Sequence, residues 1–167
     1  LLSCVRHCTK GGESVLIDGY RIEEYLRTHP DFSWAGHALA DVVIDQTEEN
    51  MQTAISPIVM SNGRGRKMVR KTLNQKPSAT STDSERDARM IALWCDTINA
   101  AYEVAPRFKL RAGQTLVVDN YRLLHGRDPY EDLQRMLWRV WVWTTDALGV
   151  PDLPLASDTR HALASQS

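Results

Sequence analysis

The residues best suited to chemistry gather late in the chain. Asp119-Asn120-Tyr121-Arg122-Leu123-Leu124-His125-Gly126-Arg127 is followed by Arg135-Met136-Leu137-Trp138-Arg139. His125 falls just past an expected strand on a short loop held by Gly126, where a rigid scaffold can present a metal-ligating imidazole. In a strand expected over 135–143, a period of two puts Arg135, Leu137, Arg139, Trp141 and Trp143 on one face. Met136, Trp138, Val140 and Val142 make the other face wholly apolar. The stems of Arg135 and Arg139 then start about 13 Å apart along one wall. A guanidinium flanked by so much apolar surface needs an anion, because an unpaired buried charge is costly. A small dicarboxylate meets that need through a bidentate fork. Spacing alone leaves a second arrangement open, in which both arginines point to solvent from an edge strand and His125 is an ordinary loop residue.

Other clusters carry less. Cys4, Cys8 and Cys95 are an odd and sparse set, which argues against a disulfide framework and for a reducing cytoplasm. Cys4, His7 and Cys8 lack the second ligand pair of a structural zinc site. Arg64, Arg66, Lys67, Arg70 and Lys71 crowd positive charge into a short stretch, but no aromatic residue interleaves with them. A solvated face is the expectation there, not a phosphate contact. Gly63-x-Gly65 does not extend to a dinucleotide fingerprint. Trp138, Trp141 and Trp143 could cage a quaternary ammonium group, but packing in a barrel wall is the expected role.

The elements that must position these residues follow from periodicity and breakers. Residues 1–8 and 14–17 read as strands separated by Gly11-Gly12, and Asp18-Gly19 turns into a helix over 20–28. His29-Pro30-Asp31 stops that helix, since the residue before proline is pushed out of the α region. Further strands are expected over 38–44 and 57–60. Residues 61–84 read as a long lid or insertion loop within one domain. Thr82 with Glu85, or Ser84 with Asp87, can form a capping box for a helix over 85–104, which carries Met90, Trp94, Ile98 and Ala101 on one face. Residues 114–120 and 135–143 complete the strands, and 146–167 form a polar tail. Strands dominate, with two helices outside, a pattern that suits a barrel or sandwich.

The whole chain has 167 residues, 20 basic and 21 acidic, for a formal net charge of −1; 43% is hydrophobic and 25% charged. That is an ordinary soluble domain. The charge balance argues against a nucleic-acid partner, no apolar run reaches the length of a membrane span, and no secretory signal opens the chain. Nothing in the pattern sets an oligomeric state.

Gly11-Gly12-Glu13-Ser14, Asp18-Gly19 and the block from Asp119 to Arg127 with Arg135 downstream resemble the taurine dioxygenase (TauD/TfdA) family. These are Fe(II)- and 2-oxoglutarate-dependent oxygenases, and the similarity covers roughly residues 1–145. It is strongest to the branch of γ-butyrobetaine and trimethyllysine hydroxylases and bacterial amino-acid-modifying relatives. The resemblance implies a mainly β double-stranded β-helix (jelly roll) with flanking helices, acting on a small-molecule substrate with O2. It implies His125 as the distal histidine of a two-histidine, one-carboxylate iron site. Arg135 would grip the distal carboxylate of 2-oxoglutarate, Ser14 would assist it, and Arg139 would support the cosubstrate or contact the substrate. The other two iron ligands, an H-x-D pair, are expected upstream of residue 1, so the chain reads as the C-terminal portion of a longer enzyme. His29-Pro30-Asp31 has the pattern but follows the Gly-Gly motif and is read as a helix stop. Hydroxylation is the default reaction. A halogenase, or a jelly-roll binding module without a complete metal site, stands as the alternative.

Overall fold

A computed structural model describes residues 1–49, 53–61, 65–132, 134–142 and 144. In chain order the elements are β1 (Leu2–Arg6), β2 (Ser14–Asp18), α1 (Gly19–Thr28), α2 (Ser33–Asp41), β3 (Ile44–Asp45), β4 (Ile55–Ser56), β5 (Val59–Ser61), β6 (Lys67–Val69), β7 (Lys76–Pro77), α3 (Ser84–Val104), β8 (Thr115–Leu116), β9 (Leu123–Arg127) and β10 (Met136–Arg139). The strands pair antiparallel in four small sheets, ordered β10-β1-β8, β2-β9, β4-β3-β7 and β5-β6.

The helices do more than flank. Ile22 and Leu26 of α1, Ala35, Ala38 and Leu39 of α2, and Met90, Ile91, Trp94 and Ile98 of α3 share one core with Val15, Ile17, Ile44, Ile58, Val59 and Val69. The architecture is therefore mixed α and β, where the sequence led us to expect mainly β. Trp94 is fully buried, and its indole N–H donates to the Arg70 carbonyl at 3.1 Å, so the largest core side chain leaves no polar atom unpaired.

The strand expected over 38–44 is instead α2 followed by β3. The reason is the run of small residues. Gly36 packs so closely on α1 that a Cβ there would lie 2.3 Å from the Arg27 nitrogen. Alanine is also the strongest helix former, so Ala35, Ala38 and Ala40 favour helix over strand. The helices over 20–28 and 85–104 form nearly as expected. The cap of α3 is Asp83, whose side chain accepts from the Arg86 N–H, while Ser81 donates to Asp87 at 2.6 Å.

The stretch 61–84, read from sequence as a lid, carries β6 and β7, and Val69 of β6 is buried in the core. Its cations are engaged: Arg66 pairs with Asp119 at 3.0 Å and Lys67 with buried Glu23 at 2.7 Å. Arg64 of the same cluster and the tail 146–167 lie outside the described residues.

The last strand is shorter than expected. The ladder covers Met136–Arg139, Val140 still exchanges both backbone hydrogen bonds with Leu1, and Arg135 sits in the turn before it. β10 is the edge of its sheet, and its outer face is open: Trp138 is 61% exposed and Val140 49%. Trp138 and Trp141 therefore do not pack as a buried barrel wall, and Trp143 lies outside the described residues. Among the described residues, no helix is long and apolar enough to cross a membrane.

Candidate functional site

The β2–β9 ladder sets the site. Val15 and Ile17 are buried, so alternation sends Ser14, Leu16 and Asp18 to the opposite face. Ser14 pairs with Arg127, Leu16 with His125 and Asp18 with Leu123, which brings Ser14, His125 and Arg127 onto that same face. Ser14 and His125 are diagonal neighbours, about 7–8 Å apart by ladder geometry. Ser14 is further fixed by exchanging both backbone hydrogen bonds with Phe108, at 2.7 and 3.1 Å.

Asp18 closes one end of the ladder. Its carboxylate caps α1 by accepting from the Tyr20 and Arg21 N–H groups, and it takes a bidentate grip from Arg122 at 2.5–3.1 Å. The Arg122 contacts hold its pKa below the usual carboxylate value. Strand, helix and the turn before β9 are thereby locked together behind the site.

His125 is exposed, and its Nε2 lies 3.2 Å from Asn120 Oδ1. Its pKa is lowered, first by packing of surrounding atoms around the ring, then by the Arg139 guanidinium and the chain's amino terminus. All three favour the neutral imidazole, which is the form that ligates a metal.

Arg135 joins the site through an aromatic ring. Its guanidinium lies 5.3 Å from the centroid of Tyr130, and that of Arg127 lies 4.5 Å from the same centroid. Arg139 stacks on Trp141 at 5.0 Å. None of these three arginines has an acidic partner among the described residues. Of the nearby acids, Glu13 pairs with Lys109 at 3.2 Å, Asp128 with Arg107 at 3.5 Å and the Tyr102 hydroxyl at 2.6 Å, Glu131 with Lys10 at 3.7 Å, and Asp132 accepts from the Gln134 N–H at 2.9 Å. Arg127 and Tyr130 were not singled out from sequence. The available signal was a third arginine and an aromatic ring within ten residues of His125.

The other sequence candidates lie elsewhere. His29 caps the end of α1 and stacks on Phe32 at 4.4 Å, as a helix stop should. A helix of that length puts it about 15 Å beyond Asp18. The three cysteines are free thiols. An open depression of about 740 Å³ is lined by Asp45, Glu48, Glu49, Asn74 and Lys76 and shares no residue with the Ser14–His125 face.

Ser14, His125 and Arg127 therefore share one face, with Arg135 against the Tyr130 ring that Arg127 also meets. The family model for the taurine catabolism dioxygenase TauD, TfdA family matches residues 1–141, and the chain belongs to this family. Human gamma-butyrobetaine dioxygenase is 28% identical over 148 residues, covering 78% of this chain and 36% of the relative. The Pongo abelii gamma-butyrobetaine dioxygenase gives the same figures. The chain thus spans about a third of the length of the curated relatives it matches.

Enzymes of this family use Fe(II) and 2-oxoglutarate. The two requirements fit the described residues unequally. For the cosubstrate, a dianion, Arg127, Arg135, Arg139 and the Ser14 hydroxyl are chemically apt. For the metal, no group of three His, Cys, Asp or Glu side chains converges among the described residues. These residues do not complete an iron site.

Proposed function

We propose that the chain contributes the cosubstrate end of an Fe(II)- and 2-oxoglutarate-dependent dioxygenase. The reaction is hydroxylation of an unactivated C–H bond in a small amino-acid- or betaine-like substrate, with succinate and CO2 as co-products. The betaine class follows from the names of the relatives. The observation that carries the reading is Ser14, His125 and Arg127 on one face of the β2–β9 ladder, with Arg135 against the Tyr130 ring that Arg127 also meets.

In this reading Arg135 and Ser14 hold the distal carboxylate, Arg139 supports the cosubstrate or meets the substrate, and His125 offers a neutral nitrogen to the metal. When bound, 2-oxoglutarate supplies the two electrons that reduce O2 alongside the substrate. The chain's own residues orient that dianion and screen its charge. The jelly roll and a cytoplasmic location belong to the same proposal.

One observation favours a second reading. Because no group of three metal-ligating side chains converges among the described residues, a binding module that takes up the dianion without turning it over fits too. Fe(II)-dependent formation of succinate from 2-oxoglutarate, with a panel of amino acids and betaines, separates the two. The enzyme reading predicts succinate from the full-length protein and its loss there in His125→Ala. Binding of 2-oxoglutarate without any succinate supports the module.

A further inference from the structure

Tyr130 is held in an unusual way. Gly11 and Gly12 both adopt a φ of 71°, in the left-handed region that glycine alone enters freely. A Cβ on Gly11 would lie 2.3 Å from the Pro129 carbonyl oxygen, and one on Gly12 would lie 3.3 Å from the Tyr130 Cβ and 2.5 Å from Cys8 Sγ. Gly11 bridges Tyr130, and the Gly12 N–H donates to the Pro129 carbonyl at 3.0 Å. The Gly-Gly turn is thus a seat for the Pro129-Tyr130 backbone. From that seat the Tyr130 ring contacts two guanidiniums, Arg127 at 4.5 Å and Arg135 at 5.3 Å.

Two like charges on one ring repel each other. The electron-rich ring offsets part of that repulsion, and an anion between the two cations would remove the rest. Glu13, Asp128 and Glu131 are already paired with Lys109, Arg107 and Lys10.

We propose that Tyr130 is a positioning residue that aligns Arg127 with Arg135, so that the two guanidiniums together receive one carboxylate end of the dianionic ligand. Arg127 is then a second anion-binding cation, and the Gly11-Gly12 turn acts through Tyr130. The inference rests on the reading that Arg135 binds 2-oxoglutarate.

The test is calorimetric titration of 2-oxoglutarate into the full chain without metal, with thermal melts of each variant. Tyr130→Phe keeps the ring and is expected to match wild-type affinity. Tyr130→Leu is expected to weaken binding about tenfold with little change in melting temperature, a pattern that a purely structural role would reverse. Arg127→Met, at an exposed position, is expected to weaken binding several-fold and serves if Tyr130→Leu does not fold. Arg135→Met is the control. If it lowers affinity by tenfold or more while Tyr130→Leu and Arg127→Met stay within about twofold, this inference fails and the parent reading stands. If Arg135→Met changes nothing, or the wild type takes up no 2-oxoglutarate, the parent reading fails and takes this one with it.

Discussion

Ser14 and His125 sit on one face of the β2–β9 ladder, two rungs apart, because Ser14 pairs with Arg127 and Leu16 with His125. A slip of one residue in that pairing would turn one of them into the core. Burial of Val15 and Ile17 on the other face prevents it. The hydrophobic alternation of a five-residue strand therefore sets which polar groups can meet a ligand.

Asp18 has two jobs that substitutions can separate. Asp18→Asn keeps a good helix cap and loses the Arg122 ion pair, so it should destabilise by about 0.5 kcal/mol. Asp18→Ala loses both and should cost about 1–2 kcal/mol. Urea melts of the two variants check the order.

The same carboxylate gives a pH dependence. Its folded pKa lies below the ordinary 3.8, with the Arg122 hydrogen bonds the main cause. A depressed carboxylate adds stability that is complete above its unfolded value and is lost as pH falls through the folded one. Stability should therefore fall in acid below about pH 4, and Asp18→Asn should flatten that part of the curve. An unchanged acid limb in the variant would contradict the assignment.

Trp94 is the largest fully buried side chain, at the meeting of α3 with the core. Trp94→Ala should cost about 3–5 kcal/mol from lost burial and the cavity left behind. It also removes one of two donors to the Arg70 carbonyl, leaving the Gln75 amide at 3.2 Å. Near-ultraviolet circular dichroism and a denaturant melt should show a molecule close to unfolding.

Gly11→Ala should weaken 2-oxoglutarate binding although Gly11 touches no ligand group in this account. The added Cβ meets backbone, the Pro129 oxygen at 2.3 Å, so the Tyr130 loop must move. A backbone forced to a positive φ with a side chain costs about 1–2 kcal/mol as well. Binding and melting measured together should both shift, in contrast to Tyr130→Leu.

Much of this was legible in the residues. Helices over 20–28 and 85–104 announce themselves by apolar spacing and stops, and the Gly-Gly-Glu-Ser and His-Gly-Arg blocks point to one family. α2 was read as a strand because Ala38 to Ile44 is apolar without a clear period, and only the close approach of Gly36 to Arg27 shows why helix wins. The length of β10 was overread for a similar reason. Val140 to Val142 have strand composition, yet the ladder ends at Arg139 opposite Leu2, with one further exchange of backbone hydrogen bonds between Val140 and Leu1 at 3.0 and 2.8 Å. The Tyr130 clamp was not legible, since it depends on a loop after β9 folding back onto a turn more than a hundred residues earlier.

The central claim is that Ser14 and Arg135, far apart in sequence, act on the same ligand carboxylate. A double-mutant cycle on 2-oxoglutarate affinity, using Ser14→Ala, Arg135→Lys and the pair, tests it most directly. Arg135→Lys is chosen because it loses the planar fork yet keeps the charge, so binding stays measurable. A shared carboxylate predicts that each single change weakens binding and that the double change costs clearly less than the two combined, with a coupling of about 0.5 kcal/mol or more. Strict additivity, or a Ser14→Ala variant that binds like the wild type, would contradict the account.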